Sequence, residues 1–276
     1  MLHAFRPPAV LILAAGRGRR LGPDAPERPK VLLPFGGRTL LDRHLHLLEE
    51  AGAGPVTIVT GFEAGQIEHE LVRLGRRDEV TLLHNPHWRE GSVVSLDAGR
   101  PVLDAAAEAG TSVVLMDGDV LYDRRLLDRL LSSAHPGALL LDREIEPGDE
   151  PVKICVRDRR DADPVIVDFD KRPDGAPGEG YDWHGESVGF FRLSAAIASA
   201  LALRAHALAQ GDGRALEYET PLRALIREDA ARAAAGGAAS FGFEDISGLP
   251  WTEIDFVEDL RKAEALLPLL QGERAA

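Results

Sequence analysis

Three features of the sequence predict an α/β fold, a doubly wound, mostly parallel Rossmann-like sheet with antiparallel additions. Strand-like and helix-like hydrophobic patterns alternate through the first half of the chain. A continuous apolar run at 112–116 suits a strand buried on both faces in the middle of a parallel sheet. The apolar stretch Val10-Leu11-Ile12-Leu13 breaks into a glycine-bearing loop, as such strands do where a ligand lies over their carboxyl ends.

The elements follow in order. Val10 to Leu13 reads as a buried strand. Leu40, Leu41, Leu45, Leu48 and Ala51 recur at helical spacing, and Gly52 stops that helix. Val56-Thr57-Ile58-Val59 is a strand. Ile67, Leu71, Val72 and Leu74 suit a helix ended by Gly75. A strand at 80–83 runs into His84-Asn85-Pro86, and Ser92 stands where it would cap one helix carrying Val93, Leu96 and Val102. The second half changes character. Segments 138–141, 152–156, 165–169 and 187–191 read as strands with no long helix between them, joined through Pro147-Gly148, Pro173-Asp174-Gly175 and Pro177-Gly178. These are expected to be antiparallel. Alanine-rich helices at about 195–210 and 220–235 follow from helix propensity. A last strand near 241–245 leads through 251–255 to a final helix ending near 270.

The length of 276 residues, with 45% hydrophobic and 28% charged residues, fits one globular domain with a substantial core. The expectation is a single domain, 1–276. Its nucleotide-binding half spans about 8–135, and its acceptor-binding half about 136–270. One cysteine excludes an intramolecular disulfide, and Cys155 sits in an alternating stretch that suits the core. The first apolar run is too short for a signal peptide or a membrane span, so a cytoplasmic protein without membrane insertion is expected. A net charge of −13 argues against a nucleic-acid partner, because affinity there rests on neutralising phosphates. Nine histidines show no metal-ligand spacing.

Most of the functional information lies between Val10 and Lys30. Backbone N–H groups exposed along Leu13-Ala14-Ala15-Gly16 and Gly18, together with Arg20 and Lys30, make a pocket for several negative charges. A nucleoside triphosphate is the natural occupant. The pattern is neither the dinucleotide fingerprint, since Gly22 falls one position late, nor a Walker A loop, since no Gly-Lys-Ser/Thr closes it. Further on, Asp117-Gly118-Asp119 places two carboxylates at the end of a central strand, facing the same way. Mg²⁺ is suited to one or two carboxylates plus phosphate oxygens. An acidic protein that handles an acidic nucleotide also needs such a cation.

The run Leu13, Ala14, Ala15, Gly16, Gly18, Arg20, Leu21, Pro29, Lys30 resembles the signature loop of the nucleotidyltransferases that activate sugar-1-phosphates and phospho-alcohols. Leu32 to Leu41 is similar to the passage that follows it in that family. The resemblance covers Val10 to about Leu267. It implies that Asp119 is a metal-binding aspartate, with Asp117 a weaker candidate beside the nucleotide. It implies that Glu253 and Asp255, in Trp251-Thr252-Glu253-Ile254-Asp255, complete the metal site, as a similar Glu-x-Asp does in bacterial phosphocholine cytidylyltransferases. A plain alternative is that Asp255 caps the last helix.

Asp168-Phe169-Asp170-Lys171-Arg172-Pro173 resembles the family's second basic signature, which implies that Lys171 meets the acceptor phosphate, with Lys153 a lesser candidate. An exposed charged turn is the alternative. The stretch from Asn85 through Gly91 and Ser92 to Leu96 is similar to the base-binding passage of phospho-alcohol cytidylyltransferases. Gly91 and Ser92 would lie against the base, and Asn85 and Ser95 would order the loop. Glu186 resembles an acceptor-binding glutamate, for sugar or inositol hydroxyls or a choline ammonium. Trp183, Tyr181 and Trp88 are candidates for an aromatic cage, although aromatics are only 5% of the chain and a rich cage is not evident.

The resemblance therefore implies Mg²⁺-dependent transfer of CMP from CTP to a small phosphorylated acceptor or phosphonate, by a monomer or homodimer. The acceptor is already ionised, so no general base is needed. Arg17, Arg19 and Arg20 make the loop unusually basic, and the sequence leaves open which of them meets the phosphates. Besides a basic-loop nucleic-acid binder, which the net charge disfavours, two rivals stand beside this reading. One is a sugar-1-phosphate uridylyl- or thymidylyltransferase. The other is a non-catalytic nucleotide-sensing subunit, against which intact Lys30, Asp119, Glu253 and Asp255 count.

Overall fold

The structure is a computed structural model, and it describes residues 7–21, 27–145, 150–160 and 162–270. The Pro147-Gly148 connection and the Arg19 side chain lie outside the described part. The chain enters through β1 (Ala9–Ala14). A short hairpin of β2 (Pro34–Phe35) and β3 (Arg38–Thr39) delivers it to α1 (Leu40–Glu50), where Thr39 Oγ1 accepts from Asp42 N as an N-cap. Next come β4 (Val56–Thr60), α2 (Ala64–Arg73), β5 (Val80–His84), α3 (Val93–Ala98), α4 (Arg100–Ala109), β6 (Val113–Asp117) and β7 (Val120–Tyr122). The second half holds α5 (Arg124–Ser132), β8 (Gly137–Asp142), β9 (Lys153–Arg159), β10 (Ala162–Asp170), β11 (Trp183–Leu193), α6 (Ala195–Gln210) and α7 (Glu219–Ala234). The chain then closes with β12 (Phe241–Asp245), β13 (Trp251–Glu253) and α8 (Val257–Leu266).

One nine-stranded sheet runs through both halves in the order β10-β9-β11-β6-β1-β4-β5, with β8 paired to β11 and β12 paired to β8. Strands β6, β1, β4 and β5 are parallel neighbours. Strand β11 reverses direction against β6, and β9 and β10 continue antiparallel, as the short connections of the second half predict. Strand β12 lies parallel to β8.

The double winding is visible in single residues. Leu11 of β1 and Val113 and Leu115 of β6 pack beneath α3, α4, α6 and α7. Val10, Ile12, Val114 and Met116 point to the opposite layer, with α1, α2 and α5. This is the two-residue alternation of a strand buried on both faces. A third cluster joins Leu33, Phe35 and Leu40 to Leu121, Ile254 and Ala263, tying β13 and α8 to the passage after Lys30.

The single helix expected from Ser92 to Val102 is two helices. Pro101 has no amide to donate to the carbonyl of Asp97, so α3 ends at Ala98 and α4 restarts at Arg100. Nor does the Ser92 hydroxyl cap α3. It accepts from Tyr218 N at 2.8 Å instead.

Candidate active site

Strand β1 delivers the loop. The Leu13 carbonyl accepts from Gly118 N at 3.0 Å, and the Ala15 carbonyl accepts from Phe62 N at 3.0 Å. The loop is thereby stitched to the ends of its neighbouring elements. Gly18 has φ +67°, and a Cβ there would lie 2.8 Å from Lys30 Cγ, so the glycine lets the lysine stem run beneath the loop. A cavity of about 240 Å³ is lined by Leu13, Ala14, Gly16, Gly18, Arg20, Lys30, Gly118 and Asp119.

Opposite this loop, three acids converge from distant parts of the sequence. Strand β13 pairs antiparallel with β7, setting Glu253 across from Val120. The Ile254 amide donates to the Asp119 carbonyl at 2.9 Å. One carboxylate oxygen from each of Asp119, Glu253 and Asp255 lies within 4.8 Å of the others. An all-carboxylate set without nitrogen or sulfur donors fits a hard divalent cation. Asp255 does not cap α8. Asp259 Oδ2 accepts from the amides of Asp255 and Phe256, at 2.9 and 2.7 Å, which leaves the Asp255 carboxylate for the cleft.

Cations from the loop meet these acids. Lys30 Nζ donates to Asp119 Oδ2 at 2.8 Å and to Asp255 Oδ1 at 2.5 Å. Burial pulls the Lys30 ammonium down, but Asp119 and Asp255 outweigh it and hold it above its ordinary value. Arg20 reaches Asp255 Oδ2 at 2.9 Å and Glu150 Oε2 at 2.5 Å, with its guanidinium over the Phe256 ring. Arg17 turns to Glu27 and Phe62 instead. Burial, then the charges of Asp119 and Asp255, push Glu253 up to about 8.

Residues 10–172, which include β1, the loop, Lys30, Asp119 and the turn at Lys171, match the model of the MobA-like NTP transferase domain. The chain belongs to this family. Among curated relatives of this MobA-like transferase is the CMP-5'-(3-aminopropyl)phosphonate synthase of Streptomyces rubellomurinus, 29% identical over 263 residues, covering 94% of this chain and 38% of that protein. Another is the bifunctional IPC transferase and DIPP synthase of Thermococcus kodakarensis, 26% identical, covering 95% of this chain and 51% of that one. The chain thus spans about half or less of the length of these two relatives. The fold is shared with the inositol-1-phosphate CTP transferase from T. maritima, with a TM-score of 0.67, 19% identity and coverage of 97% and 98%. It is shared also with the CTP:phosphocholine cytidylyltransferase from Streptococcus pneumoniae, with a TM-score of 0.63, 19% identity and coverage of 95% and 100%.

On the other side of the transferase cleft, Lys171 stands at the tip of a turn pinned by Arg223 of α7. The guanidinium grips Asp168 at 2.7 and 2.8 Å and Asp170 at 2.6 Å. Lys171 Nζ lies 3.4 Å from Glu217 and 3.6 Å from Glu150, and these two acids raise its pKa against the pull of burial. Lys153 supports this turn: its Nζ donates to the Lys171 carbonyl at 2.9 Å. Asp117, half-buried at the end of β6, accepts from Tyr218 Oη at 2.6 Å. Burial, then Asp119, Glu219 and Glu253, push Asp117 well above the usual carboxylate range.

Glu186 lines a larger cavity of about 660 Å³ that also reaches Glu150, Glu253 and Asp255. Burial and the facing Asp142 push Glu186 up to about 7. Each of the three aromatic candidates packs against other side chains. Trp183 donates to Asp158 and lies under Arg143 and against Phe243. Trp88 packs on Phe62 and Arg89, and Tyr181 on His184.

In the passage expected to meet the base, Asn85 is buried. It donates to Ser95 Oγ at 3.0 Å and accepts from His87 N at 2.8 Å, so it orders the loop. A Cβ on Gly91 would overlap the backbone of Ala215 and Leu216. The close approach that Gly91 permits is therefore to the segment leading into α7. Sequence reading missed Glu150, Glu217, Tyr218 and Glu219. The alternation Glu217-Tyr218-Glu219 before a helix is the one signal that pointed to part of this group, and it reads equally as an ordinary helix start.

Proposed function

We propose that this MobA-like transferase moves CMP from CTP to a phospho-alcohol or phosphonate, releasing pyrophosphate. The observation that carries the reading is the meeting of Lys30 with Asp119 and Asp255 at the mouth of the glycine loop. The choice of CTP and of a phosphorylated or phosphonate acceptor is supported by the relatives named above.

An acceptor oxygen forms a bond to the α-phosphorus of CTP, and the bond from that phosphorus to the bridging oxygen breaks. Its electron pair leaves with pyrophosphate. The acceptor oxygen is anionic at neutral pH, so no proton need be removed. The residues then act by alignment and charge neutralisation. Backbone amides of Gly16 and Gly18 cradle phosphates, Lys30 and Arg20 bear on the triphosphate and the departing pyrophosphate, and Lys171 holds the acceptor's anionic end. Asp119, Glu253 and Asp255 would hold Mg²⁺, which supplies charge neutralisation at the phosphates when bound.

The test is pyrophosphate release with Mg²⁺, crossing CTP, UTP, dTTP, ATP and GTP with phosphocholine, inositol-1-phosphate, 2-aminoethylphosphonate and glucose-1-phosphate. A CTP-dependent signal with a phospho-alcohol or phosphonate is expected. A signal confined to UTP or dTTP with glucose-1-phosphate would replace this reading with a sugar-1-phosphate nucleotidyltransferase. Nucleotide binding without turnover would point to a sensing subunit.

A further inference from the structure

The buried face of α1 carries Leu40, Leu41, Leu45, Leu47 and Leu48, and His44 stands among them. It is the one histidine among the described residues that is wholly buried. Packing against this layer asks only for another apolar side chain. A polar ring here costs free energy unless it is hydrogen-bonded. The His44 ring bonds the turn that carries Asp119. Its Nε2 lies 3.1 Å from the Gly118 carbonyl oxygen. A carbonyl only accepts, so Nε2 holds the hydrogen and donates it, whatever the state of Nδ1. The ring is stacked on Tyr122, with 5.5 Å between centroids, and meets the edge of Phe190 at 6.5 Å. Tyr122 lies opposite Trp251 where β7 pairs with β13, so the ring rests on the ladder that brings in Glu253.

The peptide groups before and after the Asp119 Cα are both held. The Gly118 carbonyl, bonded by His44, lies in the first. The Asp119 carbonyl, which accepts from Ile254 N at 2.9 Å, lies in the second. A peptide group is planar, so fixing these two planes fixes φ and ψ of Asp119, and with them the direction of its Cα–Cβ bond. The Gly118 amide donates to the Leu13 carbonyl at 3.0 Å, which ties the same turn to the glycine loop. Of these three bonds, the histidine supplies the one made by a side chain. The other two run backbone to backbone.

We propose that His44 is a positioning residue for the cation site, its Nε2–H holding the Gly118–Asp119 peptide so that the Asp119 carboxylate stays within reach of Glu253 and Asp255. The inference rests on the reading of these three acids as the Mg²⁺ site, and deepens it. His44 acts through Asp119 and needs no contact with the ion. Mg²⁺ demands near-ideal geometry from its ligands, so a carboxylate free to swing binds it less well. Hydrogen-bond partners that orient a metal ligand are worth about ten- to a hundredfold in metal affinity or activity.

The experiment measures Kd for Mg²⁺ by titration calorimetry on the full chain, with the Mg²⁺ dependence of pyrophosphate release in the same samples. His44→Leu keeps an apolar side chain of similar size and removes the donor. It is expected to weaken Mg²⁺ binding by about tenfold and to raise the Mg²⁺ needed for half-maximal turnover alike, with kcat at saturating Mg²⁺ changed less. His44→Gln places an amide nitrogen near where Nε2 stands, and should return Mg²⁺ binding to within about threefold of the unsubstituted protein. A lower Tm with Kd for Mg²⁺ unchanged in His44→Leu overturns the proposal and leaves His44 a packing residue. A glutamine variant no better than the leucine one overturns it too. NMR spectra of the unsubstituted protein, labelled at histidine nitrogen, add a test that needs no variant to fold. The buried ring should carry its proton on Nε2, slow to exchange, and that signal should shift on adding Mg²⁺. A bare Nε2 overturns the proposal. Absence of Mg²⁺ binding by the unsubstituted protein would remove the cation site and this proposal together, an outcome distinct from ordinary binding that the His44 variants leave unmoved.

Discussion

Lys30 and Asp255 are 225 positions apart in the sequence, and Lys30 Nζ lies 2.5 Å from Asp255 Oδ1. The same ammonium also donates to Asp119, so it bridges two of the three carboxylates suited to a metal. With Arg20 on Asp255, the lysine offsets the mutual repulsion of these acids. Replacing it with methionine removes that compensation while preserving the apolar stem. Lys30→Met is expected to lower the Tm measured in EDTA and to recover more of it on adding Mg²⁺ than the unsubstituted protein gains. On the proposed transfer, turnover should fall by about a hundredfold or more, because a charge proposed to bear on the triphosphate is removed. Equal Mg²⁺ responses in the two proteins would disconnect the lysine from the cation site.

Asp119→Asn tests the acids directly. Chelation of the unsubstituted protein should abolish pyrophosphate release, and added Mg²⁺ should restore it. In the variant, restoration should require far more Mg²⁺, with a loss at saturation of about two to three orders of magnitude. The Mg²⁺-induced Tm rise should shrink in parallel. A variant with ordinary Mg²⁺ dependence would remove Asp119 from the cation site.

The turn that presents Lys171 gives a prediction of another kind. Asp168 is buried, and Arg223 satisfies both of its oxygens. Burial alone would raise Asp168, but the Arg223 guanidinium and the amides of Asp174 and Phe169 hold it below the usual range. Arg223→Ala leaves a buried carboxylate short of its cation, a loss of about 3–5 kcal/mol in comparable buried pairs, which urea denaturation at pH 7 would measure. Arg223→Lys should recover part of it, though one ammonium cannot reproduce the two-pronged grip. Since the turn carries Lys171, KM for the acceptor should rise more than KM for CTP. Equal rises would mean that the turn serves stability alone.

How much of this was legible in the sequence depends on how each residue is positioned. Strand β1, the glycine loop and the end of β6 are local patterns, so Gly16, Gly18, Lys30, Asp117 and Asp119 could be read from spacing. The long-range partnership of Asp119 with Glu253 and Asp255 rested on resemblance, because nothing local indicates that β13 pairs with β7. The break between α3 and α4 was present in Pro101 but was outweighed by continuous helical periodicity. Glu150 was out of reach, and Glu217 was offered only by an alternation that reads equally as a helix start. Both matter through the cations they meet, Glu150 against Arg20 and Lys171 and Glu217 against Lys171, which local spacing does not show.

Glu186 supplies a pH-dependent prediction, because burial and the facing Asp142 push it from its ordinary 4.5 up to about 7. Below about pH 4.5 it carries a proton in both folded and unfolded chains, and contributes no difference. Between those values the folded chain keeps a proton that the unfolded chain releases. Above about 7 the folded chain bears a charged carboxylate beside Asp142 that the unfolded chain carries in water. The protonated form is therefore the one the fold favours, and its contribution is lost as pH rises through about 7. Glu186→Gln is neutral at every pH and keeps the shape of the side chain. The stability of the variant minus that of the unsubstituted protein should be near its baseline at pH 4. It should grow by roughly 3 kcal/mol toward pH 8, the scale set by a rise from 4.5 to about 7. Taking the difference cancels the other titrating groups that both proteins share. A difference that is flat with pH, or that grows toward acid, would show that the fold does not raise the Glu186 carboxyl above its ordinary value.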